Sequence, residues 1–480
     1  MSAAPGRSQA SSHRSPQGEG SLISAAPGRS QASSHRSPQS EATPVIPAHP
    51  QPVAMTVDTK LTKRQGLHYG ALGLPLAFVA LPLYVVLPNH YATEFGVPLA
   101  TLGLLLLGVR LFDALIDPVI GRWCDRLFAQ SLSRVLAMGA FAALVLAAGF
   151  GALFFPPTRE PTSLLVWAGL CLVLTYAAYS ALSVAHQSWG AMLGGDETKR
   201  SQVVAWREGL GLVGVVLASM APAWLGLPAT LALFCVALAL GWLAWTGALR
   251  PTISKLTRVT DIWQPLRRAS FRRLLAVFVL NGIAGAVPAT LVLFFVQDRL
   301  QVPRAMEPVF LGAYFLSAAV SMPAWLALVR RIGLARTWLA GIVMAVTAFA
   351  WASVLGSGDS LEFVLVCVLS GLALGTDLAL PGALLAGVIA QAGDRGSAEG
   401  AYFGWWNFAT KLNLALAAGL ALPLLALFGY TPGARDAGAL AALTMAYCLL
   451  PCLLKLGAAG LLYRLHVLPT PTGEKECNAD

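Results

Sequence analysis

The chain has 480 residues, of which 56% are hydrophobic and only 12% charged, and its mean hydropathy is +0.66. A soluble domain carries roughly 25% charged residues, so this composition excludes an ordinary water-soluble protein and favours a surface that faces lipid. The net charge of +10 does not indicate nucleic-acid binding, because the basic residues lie in short segments between long apolar runs.

Residues 1–54 differ from the rest of the chain, being rich in Ser, Pro, Gln and Arg and poor in apolar mass. The segment SAAPGRSQASSHRSPQ occurs at 2–17 and again at 24–39. We predict a disordered, tandem-duplicated tail, because so polar a segment cannot bury a core. It has no apolar stretch of the kind found in secretory signals, and Met55 is a candidate natural start.

Twelve apolar spans follow, each long enough to cross about 30 Å of hydrocarbon. They are predicted at 66–90, 97–121, 132–155, 162–193, 203–223, 226–249, 271–297, 308–329, 335–356, 361–391, 399–428 and 437–464. Backbone groups in lipid must be paired within the segment, so the spans are predicted to be helices. We expect an all-α membrane protein with two six-helix bundles, at 55–249 and 271–480, joined by the basic loop 250–270.

The distribution of Lys and Arg predicts the orientation. The loops after even-numbered spans, together with 250–273, carry 17 basic residues, among which we count Arg207, and the opposite loops carry four. The positive-inside rule then predicts that both termini lie in the cytoplasm. We expect a multi-pass protein of a bacterial inner membrane. No Walker motif is present to support ATP-driven transport.

Span two contains three ionisable residues within an apolar run. Arg110, Asp113 and Asp117 stand at i, i+3 and i+7, so they share one stripe of a helix. Arg110 can neutralise one carboxylate, which leaves the other to bind Na⁺ or a proton. The alternative is a charge cluster that only ties helices together.

Other polar residues lie inside spans four, ten and eleven. Span four contains Tyr176, Tyr179, Ser180, Ser183, His186 and Gln187; span ten contains Asp377; and span eleven contains Trp405, Trp406, Asn407 and Lys411. Lys411 is expected either to pair with Asp377 or an N-terminal carboxylate, or to contact solute. A lone intramembrane histidine is more often a hydrogen-bonded interior residue than a proton relay. The two tryptophans either stack on a sugar or line the bundle. The sequence has no cluster of Cys and His residues, so we expect no metal ion other than a possible Na⁺.

From residue 66 to 464 the chain resembles the glycoside–pentoside–hexuronide:cation symporter family of the major facilitator superfamily. The resemblance rests on Tyr69-Gly70, on R-x-x-D-A-x-x-D-P-x-x-G from Arg110 to Gly121, on Asp196 with Arg200, and on Lys411. Gly121, Asp125 and Arg126 are similar to the gating loop that major facilitators carry between spans two and three.

The resemblance implies a cation site at Asp113, Asp117 and Ser180, with Tyr179 and Lys411 close by. From the polar residues inside the spans we also expect a charge network and a solute cleft. We assign Arg110, Asp377 and Lys411 to the network, and Tyr69, Tyr179, Ser183, His186, Gln187, Trp406 and Asn407 to the cleft. The chain departs from the sugar-binding pattern, since Ala77 and Ser183 stand where the family's melibiose permease has carboxylates and Gln187 where it has an aromatic residue.

We therefore expect a secondary symporter that couples Na⁺ or H⁺ to the movement of a small polar solute, a glycoside among the candidates. It is expected to act as a monomer in the bilayer and to need no cofactor besides the coupling ion. An exporter or a lipid or amphiphile carrier on the same fold is the alternative. An enzyme is disfavoured, because no catalytic set of residues is apparent.

Overall fold

The computed structural model of the protein describes residues 61–251, 261–303, 306–427, 429–431 and 433–468. The predicted tail 1–54, the candidate start Met55 and part of the basic loop, 252–260, lie outside the described residues. Within those ranges the regular structure is entirely helical.

The N-terminal half, residues 61–249, covers predicted spans one to six. Its helices are α1 (Lys63–Gly70), α2 (Gly73–Leu81), α3 (Leu87–Glu94), α4 (Leu99–Gln130), α5 (Leu132–Phe154), α6 (Pro161–Met192) and α7 (Glu197–Thr246). A π-helical turn, Pro82–Val86, joins α2 to α3. In α7 the backbone of Gly226 is non-helical, with φ at 76°, so this helix contains two predicted spans separated by a kink.

The C-terminal half, residues 261–468, covers predicted spans seven to twelve. Its helices are α8 (Gln264–Arg267), α9 (Ala269–Phe294), α10 (Glu307–Ile332), α11 (Leu334–Ala352), α12 (Ser360–Gln391), α13 (Glu399–Leu427), α14 (Ala437–Thr444) and α15 (Leu450–Leu462). A π-helical turn, Met445–Leu449, joins α14 to α15.

Nine of the described helical segments, each 19 to 32 residues long, are long and apolar enough to cross a membrane. The remaining predicted spans, one, two and eleven, are helical as well. Span one is broken into α1, α2 and α3, and span two is α4, whose stripe of ionisable residues lowers its hydropathy.

Polar caps define where several helices begin. Ser131 accepts the amide of Arg134 at 3.2 Å, Asp196 that of Lys199 at 2.9 Å, and Glu160 that of Thr162 at 3.1 Å. Each cap satisfies an amide that has no partner inside its helix, which explains why the chain turns into a helix at these points.

The two halves meet where α4 packs against α13 and where α7 packs against α10 and α12. Gly404 allows the close approach of α13, because a Cβ atom there would lie 2.6 Å from the carbonyl oxygen of Asp117. Gly121 and Gly400 face each other in the same way, with no room for a side chain on either. This contact brings the middle of α13 against the ionisable stripe of α4.

Candidate cation site and solute cleft

The predicted cation-binding residues surround the ammonium group of Lys411. Its Nζ atom lies 2.7 Å from Asp113 Oδ1, 2.8 Å from Asp117 Oδ2 and 2.9 Å from Asp117 Oδ1. It also lies 2.8 Å from Ser180 Oγ and 3.3 Å from the backbone oxygen of Asp113. We call these five oxygen atoms the oxygen cage. An ammonium group has three N–H donors, so the cage offers more acceptors than Lys411 can satisfy one by one.

The local sequence explains the cage. Asp113 and Asp117 are one helical turn apart on α4, so both carboxylates leave the same face. Ser180 comes from α6 and its hydroxyl donates to Asp113 Oδ1 at 3.1 Å. Lys411 comes from α13 in the other half. Asp113, Asp117 and Ser180 are each at most 3% exposed, so the group is shielded from solvent.

The charges of the cage do not cancel. Two carboxylates and one ammonium group leave these three side chains with a formal charge of −1, and an uncompensated charge is costly in a low-dielectric interior. Arg110, on the same stripe, lies beside Tyr176 of α6 and has an exposed side chain. Both carboxylates form ion pairs with Lys411.

The predicted network of Arg110, Asp377 and Lys411 does not form one cluster among the described residues. Asp377 belongs to a second cluster, within the C-terminal half, and pairs with Lys455 of α15 at 3.0 Å. Asp377 Oδ1 accepts from Trp338 Nε1 at 2.8 Å and from Asn281 Nδ2 at 3.0 Å. Lys411 was expected to pair either with Asp377 or with an N-terminal carboxylate, and in the structure it pairs with the N-terminal carboxylates.

Lys455 was not singled out from the sequence, although a signal was present. It stands in the apolar run LPCLLKLGAAGLL and is only 3% exposed. Its ammonium group also donates to Asn281 Oδ1 at 2.9 Å. A lysine inside an apolar span needs such a partner.

Four of the candidate cleft residues form two hydrogen-bonded pairs. His186 Nε2 lies 2.7 Å from the backbone oxygen of Tyr69, and the Tyr69 hydroxyl donates to the backbone oxygen of His186 at 3.1 Å. His186 is fully buried, so it joins the first span to the fourth as a hydrogen-bonded interior residue. Gln187 Nε2 donates to Ser183 Oγ at 3.0 Å.

Tyr69 and Gln187 line a small cavity between the halves, together with Arg207, Gly382 and Phe403. Among the other cleft candidates, Tyr179 lies close to Asp113, and Asn407 is half-buried one turn before Lys411. The ring of Trp406 stacks on Phe278 with centroids 3.8 Å apart, as expected of a residue that lines the bundle. Its neighbour Trp405 donates from Nε1 to the backbone oxygen of Ile262 at 2.9 Å.

The assignment of Arg207 to a cytoplasmic loop was wrong. The helix α7 begins at Glu197, six residues before predicted span five, so Arg207 lies two to three turns inside it and is largely buried. Arg207 Nε donates to Glu208 Oε1 at 3.0 Å, and the Nη2 atom contacts the same oxygen. The polar segment ETKRSQ had obscured the true start of the helix. Glu208, the residue that accepts these contacts from Arg207, was also not singled out from the sequence.

The predicted gating loop is the last part of a helix. Gly121, Asp125 and Arg126 all lie within α4, and the chain leaves the helix only at Ser131. Asp125 is buried and accepts the amides of Gly400 at 2.6 Å and Ala401 at 2.8 Å, at the start of α13. Arg126 is exposed. The acid of the motif therefore contacts the opposite half directly.

Comparison with known proteins is consistent with this architecture. The model of the family described as MFS/sugar transport protein matches residues 68–467, nearly the whole described chain. The chain belongs to this family. Membership in the MFS/sugar transport protein family confirms the resemblance seen in the sequence, and it confirms that the protein is a multi-pass membrane transporter and not an enzyme.

Two curated relatives are similar in sequence. An uncharacterized symporter, YjmB, of Bacillus subtilis (strain 168) is 22% identical over 447 residues, which are 86% of this chain and 95% of that protein. The inner membrane symporter YicJ of Escherichia coli (strain K12) is 25% identical over 164 residues, 32% of this chain and 33% of that protein.

Solved structures share the fold. A bacterial homologue of the iron transporter ferroportin in an outward-facing state matches with a TM-score of 0.65 at 16% identity, over 85% of this chain and all of that one. The human organic anion transporter MFSD10 matches with a TM-score of 0.60 at 18% identity, over 84% of this chain and all of that one. At these identities the matches confirm the predicted major facilitator fold alone.

Proposed function

We propose that the protein is a cation-coupled symporter in which Na⁺ or H⁺ binds at Asp113 and Asp117 and drives the movement of a small polar solute by alternating access. The observation that carries this proposal is the oxygen cage around Lys411. Two relatives are named as symporters, which supports the same reading.

The cage suits a monovalent cation for two reasons. Its carboxylate, hydroxyl and carbonyl oxygens are the hard ligands that a small cation prefers. Its formal charge of −1 with Lys411 in place is balanced by one Na⁺ or one proton. We infer that the incoming cation displaces the ammonium group of Lys411, partly or wholly, from the carboxylates.

This displacement links cation binding to the position of the two halves. Lys411 belongs to α13, whereas Asp113, Asp117 and Ser180 belong to α4 and α6. The ion pairs therefore join one half to the other and must loosen when the halves separate. A cation that occupies the cage changes the stability of one state of the protein relative to the other. By reciprocity, a solute that binds the same state raises the affinity of the protein for the cation.

The solute is proposed to bind in the cleft near Tyr69, Tyr179, Ser183, Gln187 and Asn407, where hydroxyl, amide and phenol groups favour a polar molecule over a lipid tail. His186 and Trp406 shape the cleft walls. We place the protein in a bacterial inner membrane with both termini cytoplasmic, acting as a monomer.

The test is the thermal stability of the detergent-purified protein as a function of Na⁺ at constant ionic strength and several pH values. A Na⁺-specific rise in Tm that is lost in Asp117→Asn, but kept in the matched variant Asp196→Asn outside the cage, supports a sodium site. A pH-dependent shift that needs Asp117 supports proton coupling. If Asp117→Asn responds to Na⁺ and to pH in the same way as the wild type, the cage is not the cation site.

A further inference from the structure

We propose that Glu197 is a positioning residue for the transport cycle, which holds one end of the cleft closed by capping a helix of the opposite half. Glu197 is the first residue of α7, in the N-terminal half. Its Oε2 atom accepts the backbone amide of Leu334 at 2.8 Å. Leu334 is the first residue of α11, in the C-terminal half.

The helix α11 has no side-chain cap of its own. Its N-cap residue is Gly333, with φ at 82°, which is favourable for glycine and strained for other residues. A Cβ atom on Gly333 would lie only 3.1 Å from Glu197 Oε2. The first amides of a helix lack intrahelical partners and attract negative charge. Gly333 has no side chain that could accept from them, so Glu197 of the other half supplies the acceptor.

The same arrangement occurs a second time at this end of the protein. Asp125 accepts the amides of Gly400 and Ala401 at the start of α13. In both contacts the acid belongs to the N-terminal half and the helix start to the C-terminal half. Glu160 and Asp196, by contrast, cap α6 and α7 within their own half.

This difference gives Glu197 a role beyond helix stability. A cap within one half is kept whether the cleft is open or closed, whereas the Glu197–Leu334 contact exists only while the two halves are together at this end. By the proposed orientation this is the cytoplasmic end. The contact therefore favours the state closed to the cytoplasm by the free energy of one charge-assisted cap, an amount small enough to be broken in each cycle.

The inference rests on the proposed alternating access, and its test needs neither the solute nor the coupling ion. Ala386 is 6% exposed and lines the cavity between the halves, so the substitution Ala386→Cys reports opening at this end. We expect Glu197→Ala to raise the rate at which N-ethylmaleimide alkylates Ala386→Cys about fivefold over the background of the native cysteines. Glu197→Gln, whose amide oxygen can still accept, is expected to give a smaller rise.

The control is Glu160→Ala, which removes a glutamate cap that lies within one half. A rise in Glu197→Ala without one in Glu160→Ala supports the proposal. An unchanged rate in Glu197→Ala, or an equal rise in both variants, overturns it in favour of a purely structural cap. If Glu197→Ala does not fold, Glu197→Gln decides by the same comparison. Failure here leaves the cation site intact, because that site is judged by the Na⁺ and pH response of Asp117→Asn.

Discussion

Two lysines inside the helix bundle, the partly buried Lys411 and the buried Lys455, make the same kind of contact in two mechanically different places. Lys411 crosses from the C-terminal half to Asp113 and Asp117 of the N-terminal half. Lys455 stays within its own half and pairs with Asp377. If the halves rock against each other, only the ion pairs of Lys411 must break. We therefore expect the Lys411 cluster to couple cation binding to the movement of the halves, and the Lys455 cluster to keep the C-terminal half rigid.

The largest expected effect is the loss of Lys455. The variant Lys455→Ala leaves Asp377 as an uncompensated charge inside the bundle, which costs about 3–5 kcal/mol and lowers Tm strongly. The double variant Lys455→Ala/Asp377→Ala removes both charges and is expected to recover part of this loss. Thermal unfolding in detergent measures both. Equal Tm values for Lys455→Ala and wild type would mean that the pair does not contribute to rigidity.

A smaller, different effect is expected for Lys411. The variant Lys411→Met removes the internal competitor for the oxygen cage, so the apparent affinity for Na⁺, or for a proton, rises by about tenfold. A Na⁺ titration of Tm at fixed ionic strength, repeated over pH, measures the change. Lys455→Met is the control, because its ammonium group does not touch the cage, and it should leave the affinity unchanged. An unchanged affinity in Lys411→Met would show that the ammonium group and the cation do not compete.

The smallest effect is expected for an acid at the membrane rim, which gives a baseline for both clusters. Hydrogen bonds from Ser163, and then from Thr162, lower the pKa of Glu160 from 4.5 to about 2. A lowered folded-state pKa stabilises the fold above pH 4.5, and this contribution disappears as the pH falls towards 2.

Because Glu160 is exposed, Glu160→Ala is expected to lower Tm by only about 1 °C at pH 7. The difference from wild type should shrink as the pH is lowered through this range. Tm measured at pH 7, 4 and 2.5 in both proteins tests the sign. A difference that grows with acid would contradict the assignment.

The sequence was sufficient to predict the helices and part of the candidate site. Apolar length fixed the spans, and the four-residue spacing of Asp113 and Asp117 fixed their common face, because both properties are local. Pairing between distant helices is not local. Whether Lys411 meets Asp377 or the N-terminal carboxylates depends on how α13 packs against α4, and the glycines that allow that approach carry no charge signal of their own.

The misassigned and missed residues have a related cause. Arg207 and Glu208 follow a polar segment that resembles a loop by composition, yet the helix already begins at Glu197. The role proposed for Glu197 depends on a backbone amide of another helix, a group that every residue type except proline carries. Such a contact cannot be predicted from the pattern of side chains along the sequence.

The covalent attachment of the competing cation has one more consequence. The ammonium group of Lys411 is tethered to α13, so its effective concentration at the cage is set by the geometry of the protein and not by the medium. An external ion must exceed that fixed value before it can occupy the carboxylates. The length and freedom of one lysine side chain would then determine the salt or proton concentration at which the transporter begins to work.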